Sequence, residues 1–175
     1  LIELFSKDPA LVLELAQAAS TIALPTYDDL EVKGGEIREM IATEYRVDLM
    51  ILLQAGVPVF AVLVEVQLHI DAKKLFSWPL YVAAVRAKYG VPTCLCVYSP
   101  DPKVLEWAKT PIAIGQPESA FRPIVLSPLL VRKITDVGEA RRSPYRAILS
   151  AITHGNNLDD FDAVTTAYEG LSPMS

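Results

Sequence analysis

Residues 44–67 read EYRVDLMILLQAGVPVFAVLVEVQ, and this stretch decides the fold. Two apolar runs flank a turn at Gly56, a pattern that is typical of a β-hairpin. Antiparallel pairing around that turn joins residues whose numbers sum to about 113, so that Asp48 stands opposite Glu65. Side chains alternate along a strand, and Gln67 therefore shares the face of the sheet that carries Glu65. The hairpin is predicted to bring two carboxylates and an amide together.

Glu65 lies in a strand so apolar, AVLVEVQL, that a carboxylate buried there needs a partner. A cation, a hydrogen-bond network or an open cleft would each meet that need. A hard divalent metal prefers oxygen ligands, and Asp48 and Glu65 together offer them. The hairpin alone leaves these possibilities open.

The composition is that of one globular domain. The 175 residues are 51% hydrophobic with a mean hydropathy of +0.30, so we expect a single domain over residues 1–175 with a substantial core. No apolar stretch reaches the roughly 20 residues of a membrane span, and the first residues lack a secretory pattern, which favours a cytoplasmic protein without a membrane segment. The only cysteines, Cys94 and Cys96, alternate on an apparent strand and are predicted to be reduced core residues rather than a metal or redox pair.

Charge is distributed unevenly along the chain. The net charge of −5 argues against a dedicated nucleic-acid binder. Residues 1–71 carry 4 basic and 12 acidic side chains, however, whereas residues 72–150 carry 12 basic and 5 acidic ones. Such a basic middle segment is suited to contact phosphates. The alternative is that the asymmetry disappears once distant segments fold against each other.

The remaining patterns predict an α/β protein. Asp8 as N-cap and a proline at the first helical position begin a helix over 9–19. The predicted strands are a short one near 30–33, hairpin strands over 45–53 and 59–68, a strand over 91–99, and short strands within 111–115 and 121–127. The other predicted helices are one over 72–89, a short one that opens at Asp101-Pro102 and runs to about 109, a helical turn at 136–142, and helices over 144–154 and 157–169. Pro79 falls inside the helix over 72–89, which must either kink there or begin its regular part there.

The motif of Asp48 followed at hairpin distance by Glu65, Val66 and Gln67 resembles the signature of the PD-(D/E)XK phosphodiesterase superfamily. The continuation EVQLHIDAKKLFSWPLYVAAVRAKYGVPTCLCVYSPD is similar to a bacterial branch related to recombination-promoting nuclease and transposase-like proteins. The likeness covers residues 44–114 and, more loosely, the segment from Phe121 to Gly155. Gln67 stands where the superfamily has lysine, so the chain resembles an E-x-Q variant.

This resemblance implies a restriction-endonuclease-like core of helix, three-stranded β-meander, helix and strand, followed by C-terminal helices. It also implies that Asp48 and Glu65 hold Mg²⁺ or Mn²⁺ beside a scissile phosphate. The ion would polarise the phosphoryl oxygen and lower the pKa of its bound water, so that hydroxide attacks in line. Gln67 is able to hydrogen-bond this water, but it supplies neither positive charge nor a titratable proton.

Three further residues are candidates for the site. Lys73 and Lys74 would begin the helix after the catalytic strand, where one ammonium could replace the missing motif lysine; the alternative is two solvated lysines. Glu44 lies four residues before Asp48 and is either a third metal ligand or a solvated glutamate at the start of the strand.

Two classes of function follow from these residues. The first is a metal-dependent nuclease that cleaves DNA, with Asp48, Glu65, Gln67 and a lysine in the catalytic site. The second is a catalytically degenerate nuclease fold that acts as a binding or dimerisation module, which Gln67 and the acidic net charge favour. A plain α/β domain whose polar triplet is a buried hydrogen-bond network is a third possibility.

A homodimer is predicted from the apolar excess and from Trp78, Leu80 and Tyr81, which lie close together on one helix. These side chains would form a surface patch that is buried between two copies. The two aromatic residues have alternative roles, because they could instead pack in the core or stack on bases.

Overall fold

A computed structural model describes residues 1–19, 24–33, 46–114, 120–155 and 161–172. A mixed five-stranded β-sheet with helices on both faces confirms the predicted α/β class. The helices are α1 (Ile2–Lys7), α2 (Pro9–Ala19), α3 (Lys74–Tyr89), α4 (Pro102–Lys109), α5 (Val137–Arg142), α6 (Pro144–His154) and α7 (Asp162–Leu171), and a 3₁₀ helix spans Pro128–Leu130. The strands are β1 (Asp29–Lys33), β2 (Leu49–Ala55), β3 (Val57–Val66), β4 (Thr93–Tyr98), β5 (Ile112–Ala113), β6 (Ala120–Phe121) and β7 (Ile124–Leu126), of which β5 and β6 form a separate ribbon.

The main sheet has the strand order β1-β2-β3-β4-β7. Strands β1, β2 and β3 are antiparallel neighbours, whereas β4 and β7 run parallel to β3. Leu49 pairs with Val64 and Leu53 with Phe60, which confirms the predicted register of the hairpin. The register shifts after Leu53, and Gly56 makes the tight turn with a φ of 69°, a conformation that residues with a Cβ rarely adopt.

The two hairpin strands differ from their predicted bounds of 45–53 and 59–68, of which residue 45 lies outside the described residues. β2 begins at Leu49 because the side chain of Asp48 replaces a backbone acceptor: its Oδ2 accepts a hydrogen bond from the Val66 N–H at 2.8 Å. β3 ends at Val66, although the Gln67 N–H still donates to the Tyr98 carbonyl at 2.8 Å. Both strands continue closer to the turn than the sequence indicated.

Two apolar layers lie on opposite faces of this sheet. One layer packs α1, α2 and α6 against alternate strand residues, with Phe5, Val12, Ile51, Val62 and Leu149 fully buried. The other packs α3 and α4 against the opposite face, through Leu52, Leu63, Trp78, Val97 and Ala108. Glu65 continues the alternation of the second layer, so its side chain points towards α3.

Helix α3 runs as one element through Pro79. The sequence predicted either a kink at this proline or a helix that begins there. The helix instead begins at Lys74, five residues earlier. Pro79 lacks an N–H, so the hydrogen bond to the Leu75 carbonyl is absent. The helix ends at Gly90, whose φ of 68° provides a left-handed cap. No helix within the described ranges is both long and apolar enough to cross a membrane.

Trp78 and Tyr81 of α3 are buried inside the chain, so the prediction that these two side chains form a dimer patch on the surface is wrong. Trp78 is 0% and Tyr81 4% exposed, and the Trp78 ring centroid lies 5.2 Å from that of Trp107. Both side chains fill space between the helix and the sheet instead of facing a second copy. Phe76, which is 81% exposed, is the large apolar side chain that α3 presents to solvent.

The two cysteines are free, as predicted. Cys96 is fully buried and Cys94 partly buried, and both side chains belong to the layer that contains α2 and α6. A hydrogen bond with Cys94, together with burial, raises the pKa of the Cys96 thiol well above its usual range. A thiol held protonated in this way packs as a small apolar group.

Candidate functional site

The candidate site lies where β3 ends and α3 begins. Glu65 is the penultimate residue of β3, and Asp48 immediately precedes β2. The hairpin register extended by one residue places Asp48 opposite Glu65, on the face of the sheet that α3 covers. The structure therefore brings together the two carboxylates that the sequence singled out.

Asp48 is exposed at the rim of the site. Its Oδ2 is held by the Val66 N–H, which fixes the carboxylate against the end of β3. The negative charge of Asp48 is close enough to Glu65 to contribute to the rise of the Glu65 pKa. Asp48 thus combines a fixed position with open access to solvent, as a metal ligand requires.

Glu65 is 2% exposed and its two oxygens have different environments. Oε2 accepts a hydrogen bond from the Lys74 ammonium at 2.8 Å, whereas Oε1 is buried and has no hydrogen-bond partner among the described residues. Burial raises the pKa of this carboxyl, although the hydrogen bond and charge of Lys74 oppose the rise. A buried carboxylate oxygen without a partner is costly, and a bound cation or water would lower that cost.

Lys74 is the first residue of α3, and its side chain is 22% exposed. Its Nζ lies 5.8 Å from the centroid of the Tyr81 ring, two helical turns further on. Burial lowers the pKa of Lys74, but the hydrogen bond and charge of Glu65 outweigh this effect and leave the pKa raised. The ammonium is therefore charged at neutral pH and forms the positive part of the site.

Lys73 does not contact the carboxylates, although its side chain lines the cavity beside Lys74. It is exposed, its backbone N–H donates to Asp71 Oδ1 at 3.0 Å, and its ammonium makes no ion pair within the described part of the chain. Of the two lysines that the sequence offered as substitutes for the motif lysine, the structure brings Lys74 to the carboxylates.

Gln67 is 4% exposed and lies just beyond β3. Its Nε2 donates to the His69 carbonyl at 2.6 Å, so the amide nitrogen stabilises the loop that leads into α3. His69 itself is exposed. One N–H of the amide is used in the loop, so the amide oxygen and the second N–H of Gln67 are the groups that remain to orient a water molecule.

A cavity of about 370 Å³ opens beside the ion pair. Its walls are formed by the first two turns of α3 and the loop before it, from Asp71, Lys73, Lys74, Phe76, Ser77 and Tyr81. Ser77 and Tyr81 were not among the site residues predicted from the sequence. Their spacing of three and seven residues from Lys74 is a signal that could have identified them, because residues so spaced share one helical face.

The donor set fits a hard divalent ion that retains much of its water. Within the described ranges no group of three or more His, Cys, Asp or Glu side chains could hold a metal. Mg²⁺ is commonly bound by only one or two carboxylates, with waters and substrate phosphate completing the shell. Asp48 and the unpartnered Oε1 of Glu65 suffice for such a site, and Glu44, the candidate third ligand, lies outside the described residues.

Searches against protein-family models, curated proteins and solved structures found no match to this chain. The geometry of the described residues is therefore the observation on which a functional proposal rests.

Proposed function

We propose that this chain is a metal-dependent nuclease of the PD-(D/E)XK type that hydrolyses phosphodiester bonds in DNA. The observation that carries the proposal is Glu65: a buried carboxylate, next to Asp48, with one oxygen lacking a partner among the described residues. A scaffold does not need such a group, whereas a metal site does. The succession of α2, three antiparallel strands, α3 and the parallel strand β4 supports a restriction-endonuclease-like core.

Asp48 and Glu65 would hold Mg²⁺ or Mn²⁺, which when bound would lower the pKa of a water and polarise a phosphoryl oxygen. The amide oxygen of Gln67 would accept a hydrogen bond from the attacking water and orient it. Lys74 would supply the positive charge that Gln67 lacks, because its ammonium lies at Glu65 and its side chain lines the adjacent cavity. This charge would offset the negative charge that develops on the phosphoryl group.

A cleavage assay tests the proposal. Purified protein would be incubated with single- and double-stranded DNA and Mg²⁺ or Mn²⁺, beside Asp48→Asn, Glu65→Gln and the matched control Glu106→Gln. Glu106 is an exposed carboxylate on α4 that pairs with Lys109, away from the site. We expect metal-dependent cleavage by the wild type and the control and none by the site variants. Equal cleavage by all four proteins would identify a contaminant and overturn the assignment.

The degenerate binding module remains the second candidate, and one observation favours it. Lys74 already satisfies one oxygen of Glu65 without any metal, and Gln67 contributes no charge. A protein of this kind would bind DNA or a second copy without turnover. Binding of DNA by wild type and by Glu65→Gln with equal affinity, without cleavage in either metal, would select this alternative.

A homodimer is also proposed, on a surface that shares only Leu80 with the patch that the sequence indicated. An open apolar cavity of about 950 Å³ lies between α3 and the segment around β5. Its lining includes Phe76, Leu80, Trp107, Pro111 and Ile114. Phe76 is 81% and Ile114 52% exposed, and a second copy would remove this apolar area from water.

A further inference from the structure

The contact between Lys74 and Glu65 has a second implication, which rests on the proposed metal site. We propose that Lys74 competes with the metal for the Glu65 carboxylate, and that metal binding displaces its ammonium from Oε2 into the adjacent cavity. Lys74 is then a competitor of the metal as well as the positive group of the catalytic site.

The first argument is the geometry of the ion pair. The Lys74 Nζ lies 2.8 Å from Oε2, and both side chains are largely withdrawn from water, at 22% and 2% exposure. A Mg²⁺ ion bound to a carboxylate oxygen stands about 2.0–2.1 Å from it. On either oxygen of Glu65 the ion would be a near neighbour of the ammonium, with little water between them to screen the repulsion. The two cations therefore exclude each other from this carboxyl group.

The second argument is that the ammonium has a place to go. Its Nζ is 5.8 Å from the centroid of the Tyr81 ring, at the outer limit of a cation-π contact. The side chain of Lys74 also lines the cavity of about 370 Å³, together with Asp71 and Ser77. Rotation about the four side-chain bonds of lysine moves Nζ into this cavity without any change in the backbone of α3.

Displacement would couple metal binding at Glu65 to the position of the Lys74 charge. Without metal, the Lys74 charge offsets that of Glu65 and keeps the carboxylate in place. With metal bound, the same charge faces the cavity, where a phosphate group would be attracted to it. The lysine would thus reach its working position only when the metal is present.

Calorimetric titration with MnCl₂ at pH 8, without nucleic acid, tests this inference on the wild type and three variants. Lys74→Met keeps most of the aliphatic chain and removes the cation, so we expect Mn²⁺ to bind about tenfold more tightly, equivalent to about 1.4 kcal/mol. Lys74→Arg retains a competing cation and should bind Mn²⁺ about as weakly as the wild type. Lys109→Met removes an exposed charge on α4 that pairs with Glu106 and does not line the cavity, and should change the affinity less than about twofold.

The outcomes separate this inference from the proposed function. Mn²⁺ binding of equal or lower affinity in Lys74→Met than in the wild type overturns the competition and leaves the metal site intact. Absence of Mn²⁺ binding in the wild type and in folded Lys74→Met overturns the metal site and the competition together.

A measurement on the wild type does not depend on the folding of a variant. The ¹⁵N resonance of the Lys74 ammonium should shift when diamagnetic Mg²⁺ is added, while that of Lys109, which pairs with Glu106 on α4, should not. An unchanged Lys74 resonance at a Mg²⁺ concentration that saturates binding would overturn the inference.

Discussion

Replacing Lys74 with methionine in the metal-free protein removes the hydrogen-bonded cation from a carboxylate that is 2% exposed. Exposed ion pairs contribute about 0.2–1 kcal/mol, whereas breaking a buried pair costs about 3–5 kcal/mol. The Lys74 side chain is 22% exposed, which places this pair between the two cases. We therefore expect Lys74→Met to lower the free energy of unfolding by about 2 kcal/mol at pH 8, and the melting temperature by about 4–8 °C.

The loss should depend on pH in a defined direction. Burial raises the pKa of Glu65 above 4.5, and removal of Lys74 takes away a group that opposes this rise. When folding raises the pKa of a carboxyl group, the native state loses stability as the pH increases through the pKa of the folded state. Below the pKa of the unfolded state the group is protonated in both states and has no such effect. Lys74 has a raised pKa and remains charged at pH 8. The difference between wild type and Lys74→Met should therefore be present at pH 8 and disappear near pH 4.

Urea denaturation in EDTA at both pH values measures this difference, with Lys73→Met as the matched control. Lys73 is exposed and makes no ion pair within the described residues, so its replacement should change the free energy of unfolding by less than about 0.5 kcal/mol. A loss that is the same at pH 4 and pH 8, or a Lys74→Met variant as stable as Lys73→Met, would refute the reasoning.

Three further predictions concern other parts of the chain. Asp48→Asn keeps an oxygen that accepts the Val66 N–H and removes the repulsion with Glu65, so its free energy of unfolding in EDTA should differ from that of the wild type by less than about 1 kcal/mol. Thermal melts should also show that Mn²⁺ no longer stabilises this variant. Phe76→Glu should convert a homodimer into a monomer in light scattering at micromolar concentration, whereas a wild-type monomer would contradict the dimer. Arg146→Met, which loses contacts of 2.7 Å to Asp8 and 2.8 Å to Glu14, should cost about 1–2 kcal/mol in urea denaturation, and no loss would show that the network is not stabilising.

Elements with local signals could be predicted from the sequence. Helices α2, α4 and α6 begin and end where they were predicted, because each has a proline at its first position, which marks the start. The hairpin register followed from the glycine turn and the period of two along a strand. Helix α1 was missed: it is six residues long and has no side-chain cap. The predicted helix over 157–169 is observed as Asp162–Leu171, and residues 156–160 lie outside the described ranges.

The composition of the site was only partly predictable, because it depends on the phase of a helix. One residue rotates a side chain by about 100° around the helix axis, so the choice between Lys73 and Lys74 required the starting residue of α3. The same phase decides that Trp78 and Tyr81 face the sheet while Phe76 faces solvent. Alternation on a strand is simpler to read, and for that reason the relation between Asp48 and Glu65 was accessible from the sequence.

The position of β3 affects how long the site persists as the protein fluctuates. β3 is the middle strand of the five and is hydrogen-bonded along both edges, so its amides should exchange with solvent only when the whole sheet opens. The first turn of α3 has 3₁₀ geometry: the N–H groups of Lys74 and Leu75 donate to carbonyls three residues earlier, and such hydrogen bonds are weaker than those of an α-helix. Asp48 and Glu65 therefore keep their positions for as long as the sheet stays folded. The first turn of α3, which carries Lys74, is able to unwind and re-form while the two carboxylates remain opposite each other.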